Sequence, residues 1–319
     1  MANVFLSSSI GIINEKLIRF LSNKGFTVFA VGENPNLKDV DSLSLLKKEF
    51  ISDNNFVNNL SSLNIDCFIH SAFTIDADLD SEVSDDDIKR SKQMDSFLYD
   101  SLIKAAIPKV IILSTALSYG ERKGMAPAME SDVLKPYNNY TSLKTNSELW
   151  VEKLANAYSK SGTTFSILRA SPIYDDDYHS NLMPCVYNSD SKCYFLFTES
   201  GGYMFSFCHI NNLVEAVKGV MEADNLSRFR FEVSNSVSIF NVCDNTDYSA
   251  LEIVSFLKKK FKEAPVLLGG QPKISLANMF KISQKKVDTN YFDSSKYMNN
   301  RRISNDLIRQ VVPMRWNMV

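Results

Sequence analysis

The first thirty residues constrain the chain most. Val4-Phe-Leu6 is a short apolar run of strand character, and Ser7 to Asn14 is a stretch of small and aliphatic residues. Ile13, Leu17, Phe20 and Leu21 then share one face of a helix running to about Asn23. Lys24-Gly25 supplies a helix stop, and Thr27-Val-Phe-Ala-Val31 reads as a second strand. Strand, tight turn, helix and strand within about 30 residues make a βαβ unit, which implies a parallel sheet and a right-handed crossover. The turn directs backbone N–H groups from a helix N-terminus, a seat suited to a pyrophosphate. As a glycine loop it is incomplete, because Ser8-x-x-Gly11-x-x-Asn14 keeps only the middle glycine.

The alternation continues. A short helix is expected over Leu43–Leu46, a brief strand at Phe50-Ile51 and a helix over Asn55–Leu63. Asp66-Cys-Phe-Ile-His-Ser-Ala72 reads as an apolar strand ending in small residues, as needed where backbone passes close to a ligand. The acidic run from Asp76 to Asp87 reads as a solvated loop and helix start rather than a metal site. A long helix to about Ala106 leads into the strand Val110–Leu113, which delivers Ser114 and Thr115 to its end. After a loop-like stretch from Glu121 to Pro136, Tyr140 and Lys144 stand one turn apart on a helix that continues to about Ser159. A hydroxyl, a phenol and an ammonium brought together can move a proton, with the cation favouring the phenolate.

Thr164–Leu168 is a further strand, after which the regular pattern breaks down. Pro172, Pro184 and the tyrosine-rich stretch from Tyr174 to Tyr194 suit irregular segments that cap a pocket. A strand over Phe205–Ile210, a helix over Asn211–Ala223, a strand over Ser238–Val242 and a helix from Ser249 to Lys262 follow. The predicted fold is α/β: a Rossmann-type doubly wound parallel sheet over residues 1–170, with 205–223 returning to it. A smaller C-terminal α/β substrate-binding domain takes 171–204 and 224–319, covering the carboxyl edge of the sheet, where such proteins bind ligands.

Composition narrows the function. Of 319 residues, 35 are Lys or Arg and 37 are Asp or Glu, so the formal charge of −2 offers no broad surface for nucleic acid. No stretch approaches the ~20 apolar residues of a membrane span. The start, Met-Ala-Asn-Val-Phe-Leu, lacks the basic and long apolar regions of a signal peptide, and a cytoplasmic protein is expected. Five scattered cysteines (Cys67, Cys185, Cys193, Cys208, Cys243) form no C-x-x-C pair, and His70, His179 and His209 have no ligand spacing. Reduced thiols and no metal are expected.

In order along the chain, these segments resemble the extended short-chain dehydrogenase/reductase family of nucleotide-sugar epimerases, dehydratases and reductases. Val4 to Asn14 stands where that family has a strand and then T-G-A-T-G-F-I-G, and Asp66 to Ala72 stands for D-V-V-I-H-x-A-A. Ile112-Leu-Ser-Thr-Ala-Leu-Ser-Tyr-Gly120 resembles V-S-S-x-x-V-Y-G, and Tyr140 with Lys144 falls on Y-x-x-x-K. Leu168-Arg-Ala-Ser-Pro-Ile-Tyr174 resembles L-R-x-x-N-V-Y-G, and Phe207 to Leu213 resembles F-V-H-V-D-D-L. Phe240-Asn-Val242 and Asp293-Ser-Ser-Lys296 echo F-N-V-G and D-x-S-K.

The resemblance implies an enzyme holding NAD or NADP, the type left open. Tyr140 would be its acid/base, Lys144 would lower the Tyr pKa and hold the nicotinamide ribose, and Thr115 would bind a sugar oxygen. Implied cofactor contacts are Ser8, Ser9, Ile10, Gly11, Ile12, Ile13, Glu33, Ser71, Ala72, Phe73, Ser114, Tyr140, Lys144 and Ser171. The implied reaction is 4-epimerisation or 4-keto reduction of a nucleotide-activated sugar, in a homodimer joined through the helices at about 87–106 and 140–159. Dehydration is disfavoured, since Ala116 and Leu117 stand where dehydratases place an Asp-Glu pair after the Thr.

The departures fall on the cofactor side. Ser8 and Asn14 replace glycines, and Gly32 replaces an acid, with Glu33 one residue on. Phe50 stands for an adenine-contacting Asp unless Asp53 takes over, Ser91 for an Asn, and Pro172 for an Asn that helps bind the sugar diphosphate. The alternative reading is a catalytically inactive dinucleotide-binding sensor or scaffold of the same fold.

Overall fold

The structure is a computed structural model that describes residues 2–51, 53, 55–71, 85–120, 126–188, 193–197, 204–226, 229, 237–260, 266–269 and 301–318. Its elements in chain order are β1 (Asn3–Leu6), α1 (Ile12–Asn23), β2 (Thr27–Val31), β3 (Leu43–Leu46), α2 (Phe56–Ser62), β4 (Cys67–His70), α3 (Asp85–Lys104), β5 (Lys109–Thr115), α4 (Asn139–Ala157) and β6 (Thr164–Ala170). The second half adds β7 (Ile173–Tyr174), β8 (Tyr187–Asn188), β9 (Cys193–Phe197), β10 (Met204–Phe205), β11 (Cys208–His209), α5 (Ile210–Glu222), β12 (Val237–Val242), β13 (Tyr248–Ser249), α6 (Ala250–Lys260) and β14 (Val266–Gly269).

Seven strands form one parallel sheet in the order β12-β6-β5-β4-β1-β2-β3. Side chains of a strand alternate between its two faces, and both faces here are apolar and covered, as a parallel sheet requires. Val4, Leu6, Val28, Ala30, Ile111, Leu113, Leu168 and Val242 pack on the side of α1 and α5. Phe5, Phe68, Val110, Ile112, Phe165 and Ile167 pack on the other, with residues of α2, α3 and α4. The doubly wound sheet predicted from the sequence is present.

Two local expectations are corrected. Leu43–Leu46 is not a helix but the edge strand β3, in register with β2 from Val28↔Leu43 to Val31↔Leu46. Four residues are too few to nucleate a helix, whereas β2 offers a ready row of backbone partners. Phe50-Ile51 is not a strand: Lys48–Phe50 is a single 3-10 turn, and the Phe50 ring stacks on Phe5 at 5.7 Å instead of pairing with the sheet. Asp53, the other candidate for adenine contact, accepts from the Asn55 N–H at 2.9 Å beside the start of α2.

β12 is the last strand of the main sheet, paired with β6 from Val237↔Phe165 to Val242↔Ala170. A separate small core joins Tyr174, Leu182, Val186, Tyr194, Phe205, Phe207 and the inner face of α6. Residues 301–318 then run back over the main body: Ile303 bridges Ala128, and Ile308 and Met314 enter the core on the α5 side. Residues 76–84 of the acidic run and the stretch 293–296 lie outside the described residues. Among the described residues no helix is long and apolar enough to cross a membrane, and no three His, Cys, Asp or Glu side chains cluster as a metal site.

Candidate active site

The strand order reverses between β1 and β4, where α/β sheets open a crevice outside the carboxyl ends of their strands. Ser7 bridges that point. Its Oγ lies 3.0 Å from His70 Nδ1 and accepts the Ser71 N–H at 3.2 Å, while His70 Nε2 lies 3.3 Å from Asp95.

The loop from Ser8 to Gly11 leads into α1. Ser8 Oγ accepts the Ile10 N–H at 3.1 Å, and the buried Ser9 hydroxyl donates to the Gly32 carbonyl at 2.9 Å. Gly11 has φ +92°, open to glycine alone without strain, with no atom within 4 Å of where a Cβ would stand. Among the described residues no side chain caps α1, which leaves its first-turn N–H groups to meet an anion, and Ile10 and Ile12 are 42% and 40% exposed at the loop tip. Loop and helix start therefore fit a dinucleotide pyrophosphate despite the lost glycines. Asn14 fills the place of the third glycine without closing the loop, its amide donating to the Ile10 carbonyl at 2.7 Å. Ile13 is half-buried against the core, and Glu33 is exposed just past β2.

β5 ends in Ser114 and Thr115, followed by one 3-10 turn, Ala116–Tyr119, whose Leu117 N–H is held by Thr115 Oγ1 at 3.2 Å. α4 starts on a reciprocal cap, Asn138 with Thr141, which sets the helix phase at Tyr140. Tyr140 and Lys144 thus lie one turn apart beside the ends of β4 and β5. The Thr115 side chain faces the Tyr140 phenol closely enough to favour its ionised form, and Lys144 Nζ donates to the carbonyls of Ser71 at 2.5 Å and Leu113 at 2.9 Å. Thr115, Tyr140, Lys144 and Ser71 are brought together.

The electrostatics differ from the sequence expectation. Burial, reinforced by Tyr178 and Tyr137, pushes the Tyr140 phenol up to about 12, and only the nearby Thr115 hydroxyl opposes it. Burial brings Lys144 down to about 8, against the pull of Asp95 and Glu148. Burial, and not Lys144, sets the proton affinity of the Tyr140 phenol.

Of the other predicted contacts, Ser114 turns its hydroxyl to Glu148. Ser171 is buried, its hydroxyl without a partner among the described residues, and lines a cleft beside Ala116 and Leu117. Ala72 and Phe73 lie outside the described residues.

Sequence reasoning missed the support beneath this site. Glu148, one turn past Lys144, accepts from Arg169 Nε at 2.9 Å and Nη2 at 2.8 Å, and Arg169 Nη1 donates to the Tyr119 hydroxyl at 2.8 Å. Tyr119 donates to Asn241 at 2.8 Å, which joins β12 to the network. Burial works against the Arg169 charge, but Glu148 and Tyr119 hold its pKa above the usual value. The available signal was the spacing of Tyr140, Lys144 and Glu148 on one helix face.

A nucleotide-binding α/β protein with a Tyr–Lys pair at the carboxyl end of β5 is the class that this fold and geometry define. The chain belongs to the NAD dependent epimerase/dehydratase family, whose profile matches residues 10–234. Among solved structures it is similar to UDP-glucuronic acid 4-epimerase from Bacillus cereus in complex with UDP-glucuronic acid and NAD. That likeness has a TM-score of 0.67 and 15% identity, covering 99% of this chain and 95% of that one. dTDP-glucose 4,6-dehydratase from Bacillus anthracis in complex with NAD gives 0.65 at 13%, covering 98% and 90%. MoeE5 in complex with UDP-glucose and NAD gives 0.62 at 19%, covering 84% and 85%. At these identities the likeness is one of fold. No curated protein matches the chain by sequence.

Proposed function

We propose that the chain is an NAD-dependent oxidoreductase or epimerase acting on a nucleotide-activated sugar, by 4-epimerisation or 4-keto reduction. One observation carries this reading: Thr115, Tyr140 and Lys144 converge at the strand ends, beside the uncapped start of α1. The dinucleotide, when bound, supplies a ring that accepts or returns a hydride. Thr115 holds the substrate oxygen, and Tyr140 exchanges a proton with it. Lys144 places a cation beneath the site. The protonated phenol favoured by the high Tyr140 pKa suits the reductive direction, in which a proton passes to a keto oxygen. Buried Ala116 and Leu117 offer no acid for dehydration.

NAD is favoured over NADP. Glu33 sets a carboxylate past β2, and Arg19, which reaches the same turn, is engaged by Asp39 at 2.9 Å and by the Asn36 carbonyl. The division into a dinucleotide-binding sheet and a smaller substrate-binding part belongs to the same proposal, with the small core around Tyr174 and Phe207 as its support. A cytoplasmic setting and a homodimer complete it. α3 and α4 pack side by side and expose Phe97 (46%) and Leu149 (56%), an apolar pair suited to a second copy. Sedimentation showing a monomer at micromolar concentration would sink the dimer.

The functional test is titration with NADH and NADPH by nicotinamide fluorescence, followed by assay of UDP- and dTDP-sugars with Tyr140→Phe. The expected result is tighter binding of NADH and at least a roughly hundredfold loss of turnover in the variant with its fold retained. No binding of either dinucleotide at high micromolar concentration overturns the reading. So does normal turnover by Tyr140→Phe. Binding without turnover of any such sugar by the wild type favours the sensor or scaffold alternative, which the high Tyr140 pKa also suits.

A further inference from the structure

Beneath the crevice lie two buried titratable side chains that the proposed chemistry does not use, His70 at the end of β4 and Asp95 on α3, 4% and 7% exposed. Both ring nitrogens of His70 are engaged. Nε2 faces the Asp95 carboxylate at 3.3 Å, so it carries the proton of the neutral ring, and Nδ1 accepts the Ser7 hydroxyl at 3.0 Å. Ser7 Oγ in turn accepts the Ser71 N–H at 3.2 Å, and the Ser71 carbonyl accepts Lys144 Nζ at 2.5 Å. A single polar chain thus runs from Asp95 through His70 and Ser7 to Ser71 and the lysine of the site.

This chain sits where two parts of the site meet. Ser7 begins the loop that leads into α1, and its own N–H donates to the Ile69 carbonyl at 3.0 Å. Tyr99 stands edge-on to the His70 ring at 5.7 Å, and its hydroxyl lies 2.7 Å from Ser147 Oγ, one turn past Lys144 on α4. The titratable groups around Lys144 are Tyr140 and Glu148 on its own helix, Asp95 on α3 and, through Ser7 and Ser71, His70. Glu148 is already answered by Arg169. Asp95 instead meets an imidazole whose neutral form leaves the carboxylate charge uncompensated, and that charge opposes the effect of burial on Lys144. Sinking an imidazole and a carboxylate between α3 and β4 costs desolvation that an apolar contact avoids, so stability alone does not account for them.

We propose that His70 and Asp95 are positioning residues of this site: the pair clamps Ser71 between the start of the dinucleotide loop and Lys144, and Asp95 is the counter-charge of the Lys144 ammonium. This role deepens the function proposed above and rests on it. Neither side chain touches the reacting atoms. His70 acts through Ser7 and Ser71, and Asp95 acts through its field at Lys144, which solvent and salt screen little in a buried setting.

Competitive labelling of the full chain with acetic anhydride from about pH 6 to pH 11, read by peptide mapping, gives the titration midpoint of Lys144 without any ligand. Wild type, Asp95→Asn and Asp95→Glu would be compared, with thermal unfolding as the control for fold. The expected wild-type midpoint is about 8. Asp95→Asn should lower it by about one pH unit, and Asp95→Glu should hold it near the wild-type value. NADH affinity, followed by nicotinamide fluorescence, should fall at least about tenfold in His70→Phe, and to a similar degree in Ser7→Ala, which breaks the same chain without touching the ring. An unchanged Lys144 midpoint in Asp95→Asn, or an equal fall in Asp95→Glu, overturns the counter-charge. Wild-type NADH affinity in His70→Phe and Ser7→Ala overturns the clamp. Failure of the wild type to bind NADH overturns the dinucleotide reading of the function instead, and the Lys144 midpoint still decides Asp95.

Discussion

The Lys144 ammonium lies 2.5 Å from the Ser71 carbonyl oxygen and ties α4 to the end of β4, beside the point where the strand order reverses. A second bond, to Leu113 at 2.9 Å, ties it to β5. One cation thus positions the tyrosine helix against the strands that frame the crevice.

Holding that cation costs stability. The Lys144 pKa falls from 10.5 to about 8 on folding, chiefly through burial. Between those values the unfolded chain binds more protons than the folded one, so this contribution rises with pH, and the full penalty is present below pH 8. Relative to Lys144→Met, the wild type should gain roughly 2–3 kcal/mol between pH 7 and 10.5. Urea unfolding of both proteins across that range measures it, and a pH-independent difference would refute the buried cation.

The Glu148–Arg169 pair is almost fully buried, so removing one partner strands a charge. Arg169→Met should cost about 3–5 kcal/mol. A double variant with Glu148→Leu should lose much less than the two single losses combined. Additive losses in urea unfolding would show that the two residues act separately.

Gly120 has φ +69°, and a Cβ there would collide with the Lys135 carbonyl oxygen. Neither backbone group can yield easily, because the Lys135 N–H is bound to the Ser118 carbonyl at 2.7 Å. Gly120→Ala should destabilise by about 2 kcal/mol or more, read from the thermal midpoint. A change below about 0.5 kcal/mol would mean that the turn adapts.

Asp244 gathers four donors: the hydroxyls of Tyr174 at 2.6 Å and Tyr248 at 2.8 Å, the His209 N–H at 2.7 Å and the Asn212 amide at 2.7 Å. Asn212 in turn accepts the N–H groups of Arg315 and Trp316, and Tyr248 accepts that of Met318. Asp244→Ala should therefore loosen the C-terminal segment, seen as faster tryptic cleavage after Arg315. An unchanged cleavage rate would show that the segment is held by packing alone.

Much of this molecule is legible in local pattern. The βαβ start, the strand under Ser114 and Thr115, and the one-turn spacing of Tyr140 and Lys144 follow from side-chain periodicity and short-range steric preference. Backbone geometry carries these over a few residues without help from the rest of the fold. The edge strand at Leu43–Leu46 was not legible, because its conformation depends on the backbone of β2. The proton affinities of Tyr140 and Lys144 depend on burial by distant segments, which no spacing encodes. Asp95 meets His70 only because the fold lays α3 against β4. Which elements form is largely a matter of local steric preference, whereas charge state and the pairing of buried charges come from long-range packing, since solvent exclusion belongs to the assembled fold.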